Sequence, residues 1–360
     1  VMSKSTIEWT DETWNPVGGC KAVSPGCANY YAARMAKRLA AMGQERYKGL
    51  VDEHGRWTGE FRVFDDVLTA PLRWRKPRRV SVNSEGDLFG EGVPFEFIAQ
   101  VFAVMALCPQ HTFQILSKRS ERMAECVCKI YTDDEWFEIN EAGNRMSLPV
   151  DNDIVANTVR PLPNVHLGVS VESQDYMHRV TDLLQCPAAV RFVSAEPLLG
   201  ALDFNGMFPV KLSPNHYWQD CVCNEIDPRD RPCIVCEARS GLDWVIAGGE
   251  SGPGARPMHP DWARSIRDQC KAAGVPFFFK QWGEWASVCD YYTEDDDVRD
   301  CALDNPHSLV TTGGYTWRVC DRDGRILDGQ PPPGTWIMQR VGKKAAGARL
   351  DGVEHREFPR

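Results

Sequence analysis

The sequence predicts an α/β protein: a partial or complete (β/α) barrel of the TIM type, with insertions and a C-terminal extension. Three observations point there. Six short runs are rich in β-branched or aromatic residues, helical patterns lie between several of them, and each run ends in polar or glycine-rich residues. Parallel strands alternating with helices give this rhythm, and a barrel gathers its chemistry at the carboxyl ends of all its strands. An open doubly wound sheet is the alternative, but it concentrates function at one switch point.

Taken in order, TWNPVGG (13–19) is the first strand candidate. RVSVNS (79–84), TFQILSK (112–118), VHLGVSVES (165–173), VRFVSAEP (190–197), DWVIAGGES (243–251) and PFFFKQWGE (276–284) follow. PFEFIAQVFAVMALCP (94–109) and HPDWARSIRDQCKAAG (259–274) read as helices, the second ending at Gly274 as a C-cap. The barrel therefore spans 1–284 with two insertions, one acidic at about 124–163 and one cysteine-rich at about 204–241. Residues 285–360 form the extension, with an acidic run, a hairpin predicted over 315–329 and a basic end, RVGKKAAGARLDG.

With 43% hydrophobic and 25% charged residues in 360, the composition is that of a soluble globular protein. No segment approaches the ~20 apolar residues of a membrane span. The start, VMSKSTIEWTDETW, has no apolar signal core, so the cytoplasm is the expected compartment and no membrane partner is expected. A net charge of -9 argues against wholesale coating of nucleic acid. A local patch, Arg73, Trp74, Arg75, Lys76, Arg78 and Arg79, could still hold phosphates beside an aromatic ring, as could Lys343 and Lys344. The bland alternative is a solvated face.

Fourteen cysteines in a reducing compartment point to metal or cluster ligands rather than disulfides. Cys20 and Cys27 flank a Ser-Pro-Gly turn just after the first strand candidate, in the first loop of the catalytic face. Thiolates there select soft metals or iron-sulfur clusters, and two buried thiols are the alternative. Cys221, Cys223, Cys233 and Cys236 form a C-x-C, nine residues, C-x-x-C set that suits a closed tetrahedral zinc site. A second iron-sulfur cluster and four free thiols are the other readings. The eight histidines form no HExxH-like set, which weakens a metal-dependent hydrolase.

WTDETWNPVGGCKAVSPGCANYYA, VNSEGDLFGE, FQILSKR, LGVSVE, RFVSAEPLLG, WVIAGGESGPGARPM, FFFKQWGEW and RVGKKAAGARLDG together resemble the phage and prophage proteins named for gene product 37 and gene product 68. The resemblance runs nearly end to end, and that family looks like a divergent branch of the radical S-adenosylmethionine (SAM) barrels. It implies a [4Fe-4S] cluster held by three cysteines and SAM chelated to the fourth iron. Reductive cleavage of SAM then yields a 5'-deoxyadenosyl radical, and a catalytic protein of this kind needs an electron donor.

Carried onto this chain, the resemblance puts Cys20 and Cys27 on the cluster, and Gly248, Gly249 and Glu250 in the late-strand motif that meets adenine. Asn83, Ser84 and Asp87 would meet the ammonium of SAM, and Ser117 and Lys118 its carboxylate. Ser170, Glu172, Ser194 and Glu196 would meet ribose or substrate. The family's third cysteine is replaced by Tyr30, a hard oxygen donor that substitutes poorly for thiolate on iron-sulfur. An altered chain, a natural variant with another ligand and a barrel that has lost cluster chemistry all fit this change. The expected function is radical SAM modification of a nucleotide or nucleic-acid base, with phage DNA as the substrate a phage setting implies. The alternative is a non-catalytic SAM- or nucleic-acid-binding accessory protein. Oligomeric state and exact substrate do not follow from the sequence.

Overall fold

The computed structural model describes residues 3–5, 7–29, 31–132, 134–136, 158–209, 241–287, 317–320, 326–327 and 336–359. Its centre is one sheet in the order β1 (Ser3–Lys4), β2 (Glu12–Trp14), β5 (Arg79–Val82), β6 (Thr112–Ser117), β7 (Val165–Ser170), β8 (Val190–Ala195), β9 (Trp244–Gly248) and β10 (Phe277–Gln281). β1 pairs antiparallel with β2, and the remaining seven strands are parallel and in unbroken sequential order. The sheet curls into a half barrel with no switch point, which removes the open doubly wound alternative.

The six later strand expectations hold within a few residues, and the first is split. β2 stops at Trp14, and β3 (Val17–Gly18) turns away to pair with β4 (Arg62–Val63). Pro16 lies between them and has no N–H to offer a ladder. The helices are α1 (Tyr31–Ala41), α2 (Asp65–Leu68), α3 (Phe95–Ala106), α4 (Ser120–Ile130), α5 (His178–Gln185), α6 (Pro260–Ala273) and α7 (Lys343–Ala346). α6 begins with Pro260 at its first position, has Nδ1 of His259 accepting from the Asp261 N–H, and ends at Gly274 with φ 72°. α4 takes the first residues of the expected 124–163 insertion, while 133 and 137–157 lie outside the described residues.

Right-handed crossovers between sequential parallel strands put the helices on one face. On that outer face Val80, Val82, Phe113, Ile115, Val165, Leu167, Val169, Val193, Val245, Ala247, Phe277 and Phe279 pack with α3, α4, α5 and α6 in the main core. The concave face has its own smaller cluster of Trp9, Phe192, Trp244, Ile246 and Phe278, joined by Leu116 and by Phe358 from the chain's end. The last residues pair antiparallel with β10, where the Phe279 N–H donates to the His355 carbonyl and the Glu357 N–H to that of Phe277. Phe358 then reaches across the open side: its ring centroid is 5.4 Å from Trp244, and the Arg79 guanidinium on β5 is 4.6 Å from it. The base of the half barrel is thereby closed by side chains from both ends of the sequence.

The extension forms a second sheet, β11 (Trp285–Ser287), β14 (Trp336–Arg340), β12 (Trp317–Cys320) and β13 (Ile326–Leu327), in which β12 and β13 are the expected hairpin. No helix among the described residues is long and apolar enough to cross a membrane.

Gly168 on β7 tests the packing of the concave face. A Cβ there would lie 2.4 Å from the Phe192 ring. Gly168→Ala should destabilise the protein by about 1–3 kcal/mol through overpacking. An unchanged urea midpoint would show that the concave face is not packed in this way.

Candidate functional site

All strand-to-helix loops emerge at the carboxyl edge of the sheet, and there a cavity of about 220 Å³ opens. Cys20, Cys27, Asn83, Ser84, Asp87, Ser117, Lys118, Ser170, Ser194, Glu196, Gly249 and Glu250 all line it. These residues are separated by as much as 230 positions in the sequence, so the sheet topology alone brings them together. Glu172 and Gly248 stand behind the lining. Tyr30 and the set Cys221, Cys223, Cys233 and Cys236 lie outside the described residues.

The cysteine turn is held from below by a buried carboxylate. Pro25–Cys27 forms a 3-10 turn whose Gly26 N–H donates to Glu172 Oε1 at 3.2 Å. Glu172 is fully buried and also accepts from Lys118 Nζ (3.2 Å) and Arg179 Nη1 (3.0 Å). Burial would raise its pKa, but Lys118, the Ser24 hydroxyl, Arg179 and the Gly26 N–H together hold it below the ordinary glutamate range. Glu172 thus fixes the turn, where the sequence reading placed it on ribose or substrate. A Cβ at Gly26 would come within 3.1 Å of that carboxylate, which explains the glycine.

Asp87 plays the same part on the other side of the turn. It accepts from the Ser117 hydroxyl (2.8 Å), the Phe89 N–H (3.1 Å), the Lys118 N–H (3.2 Å) and Arg119 Nη1 (3.0 Å). Arg119 in turn donates to the Lys21 carbonyl at 2.8 Å and lies 3.6 Å from Cys20 Sγ. Burial, then the Asp87 charge, push the Cys20 thiol up to about 12 against the pull of Arg119. Cys27 Sγ lies 3.7 Å from the Ser24 hydroxyl.

The glycine pair meets protein. A Cβ on Gly249 would lie 1.9 Å from the Trp282 carbonyl, and one on Gly248 would lie 2.7 Å from Glu196 Oε1. Both glycines let β9 and its loop lie against the loop after β10 and against Glu196. Glu250 is clamped by Arg256 through the backbone N–H (2.8 Å), Nε (2.8 Å) and Nη2 (2.6 Å), and Arg256 reaches on to the Pro25 carbonyl at 3.0 Å. Glu196 pairs with Lys280 at 3.1 Å and accepts from the Ser194 hydroxyl at 3.2 Å.

Lys280, Gln281 and Arg119 also line the cavity, although the sequence motifs do not single them out as site residues. The rule that picked out the other strand ends would have found them, since each belongs to a polar cluster closing an apolar run. Trp9 and Trp57 line it as well and had no local signal. The ionisable lining is balanced, with Lys118, Arg119 and Lys280 against Asp87, Glu196 and Glu250. Within it Asn83 Nδ2 and Gln281 Oε1 are buried without a hydrogen-bond partner. Asn83 has a left-handed backbone (φ 61°) that turns its amide inward, where Oδ1 accepts from the Val17 N–H at 3.1 Å.

The basic patch lies elsewhere. Arg79 opens β5, so residues 73–79 sit at the amino edge of the sheet, opposite the cavity. Trp74 is buried against His111, Arg78 pairs with Glu12, and Arg79 pairs with Asp11 at 2.9 Å. Only Arg73, Arg75 and Lys76 of that patch are exposed, and the ring expected to stack on bases is not. At the other end of the chain Lys343 pairs with Glu8 at 3.2 Å.

Removing Glu172 should expose how much the turn depends on it. Glu172→Ala leaves Lys118 and Arg179 facing a buried gap and should cost about 3–5 kcal/mol. Because the folded pKa is depressed, the contribution of Glu172 is complete above about pH 4.3 and fades as the pH falls through the folded value. The difference between wild type and Glu172→Ala in urea should therefore be full at pH 7 and shrink toward pH 3. An equal difference at both values would count against the ionised anchor.

No curated protein and no solved structure matches the chain. A family model described as a protein of unknown function, DUF5131, matches residues 4–359. That span takes in the half barrel, both insertions and the extension, and the chain therefore belongs to the DUF5131 family.

Proposed function

We propose that the barrel mouth is a SAM site of the radical SAM type and that the protein acts on a nucleotide or nucleic-acid base. One observation carries this reading: loops from separate strands deliver two cysteines and the polar strand ends to a single cavity. Its balanced charges, with one donor (Asn83 Nδ2) and one acceptor (Gln281 Oε1) left without a partner, suit a zwitterionic nucleoside-type ligand rich in donors and acceptors.

The donors present do not complete a three-thiolate cluster. Cys20 and Cys27 supply two thiols, and among the described residues no group of three or more His, Cys, Asp or Glu side chains is arranged to hold a metal ion. The usual third position is a tyrosine. For the chain as it stands this donor set supports SAM binding at the mouth without a complete cluster. What its own residues do in either case is the same. Glu172 and Asp87 hold the cysteine turn, Arg256 and Glu250 tie that turn to the loop after β9, and Lys280 with Glu196 sets the charge of the cavity wall.

The test is the third ligand. After anaerobic reconstitution the native chain should bind SAM with little iron, whereas Tyr30→Cys should take up about four irons per chain with broad absorbance near ~400 nm. Only the variant should then cleave SAM reductively to 5'-deoxyadenosine. A full cluster in the native chain would overturn the account of this loop, and failure of both proteins to bind SAM would overturn the site.

The four cysteines of the cysteine-rich insertion have a zinc-binding spacing, and we expect about one zinc per chain there. Cys233→Ser should release that zinc and leave the barrel folded by circular dichroism. Unchanged zinc content would remove the site.

A further inference from the structure

The acidic residues are unevenly spread along the sequence, and the longest gap covers the cysteine turn and the first helix. Between Glu12 and Glu45 the chain has no Asp or Glu at all, yet it carries Lys21, Arg34, Lys37 and Arg38, in a protein whose net charge is -9. This stretch is the cysteine turn and α1, and all four cations are exposed.

Three of them rest on loops that build the mouth. Arg34 packs on Gly252, next to Ser251 of the cavity lining: a Cβ on that glycine would lie 2.6 Å from Arg34 Nη2. Lys37 Nζ donates to the Glu53 backbone carbonyl at 2.6 Å, and the Lys21 stem runs beside Gly59. Glu53 and Gly59 bracket Trp57, which lines the cavity. Among the described residues Lys21, Arg34 and Lys37 take part in no ion pair; the same holds of Arg73, Arg75 and Lys76 at the opposite edge, but the ring beside those, Trp74, is buried and the cavity lies at the other edge. Beside them Tyr31 lines the cavity with 43% of its surface exposed, its hydroxyl donating to the Ser84 carbonyl at 3.3 Å.

From this we infer that the lip formed by Lys21, Arg34 and Lys37 binds the backbone of a single-stranded nucleic acid, with a base resting on Tyr31 at the cavity mouth. Unpaired cations track phosphates, and an exposed aromatic ring between them stacks an unpaired base. The inference rests on the proposed nucleotide or nucleic-acid substrate and names the surface that receives it. It moves that contact from 73–79 to the opposite edge of the sheet.

Fluorescence anisotropy of a labelled single-stranded oligonucleotide tests it. Three phosphate contacts predict a slope of log K against log salt of about -2, at about -0.7 per contact. Arg34→Glu/Lys37→Glu should weaken binding at least tenfold, while Arg75→Glu/Lys76→Glu should change it less than twofold. Melting temperatures of both variants establish that they are folded. Equal affinity of the lip variant and the native chain would overturn the inference. So would displacement of the oligonucleotide by polyglutamate at matched charge, which would give the lip to an acidic protein. SAM binding is measured separately on the native chain. If SAM does not bind while the lip still holds the oligonucleotide, the lip assignment is supported and the proposed cofactor fails.

Discussion

Seven parallel strands laid down in sequential order force every strand-to-helix loop to the same edge of one sheet. The candidate site depends on that constraint. Cys20 and Glu250 are far apart in the chain, and nothing local to either would bring them to one cavity. Parallel pairing requires a crossover after each strand, and the fixed hand of the crossovers keeps the helices on the convex face. The concave face is left for an aromatic base and a polar mouth.

That division can be followed along single strands. In β8, Val193 and Ala195 face the helices, while Phe192 closes the base and Ser194 faces the mouth. In β10, Phe277 and Phe279 face outward, Phe278 fills the base, and Lys280 enters the cavity. A half barrel has an open side, and here Trp9 from one end of the chain and Phe358 from the other fill it at the bottom. The mouth stays open above them.

At the mouth most charged groups serve to hold loops. Glu172 with Lys118 and Asp87 with Arg119 join segments distant in sequence, while Glu250 pairs with Arg256 within the loop after β9, from which Arg256 reaches the Pro25 carbonyl. A buried carboxylate needs such partners, because its desolvation is offset only by nearby cations and N–H groups. Once those obligations are met, the groups left for a ligand are few: Asn83 Nδ2, Gln281 Oε1, the Lys280–Glu196 pair, and the thiols. These contacts hold the cysteine turn in place through protein groups alone.

The sequence by itself determined six of the strands, the helices α3 and α6, and the edge at which the polar strand ends gather. β-branched and aromatic runs closing in polar residues are local patterns, and a local pattern survives without tertiary context. Gly274 as a C-cap and the hairpin of β12 and β13 were legible for the same reason. The break between β2 and β3 was signalled by Pro16 but merged into one strand, because its cause is where β3 finds its partner. Tertiary structure alone decided what each polar strand end does. Ser194 and Glu172 look alike in sequence, yet one faces the cavity and the other is buried beneath Gly26. Gly248 and Gly249 read as a ligand cradle; Gly249 does line the cavity, and Glu196 and Trp282 press against the pair from the protein side. The basic run 73–79 read as a nucleic-acid patch, and packing buried its tryptophan and paired two of its arginines at the far edge. Residue type and spacing specify which groups exist and which edge they reach. Burial and pairing depend on contacts between residues tens of positions apart, and 146 apart for Gly26 and Glu172, and no local pattern encodes those.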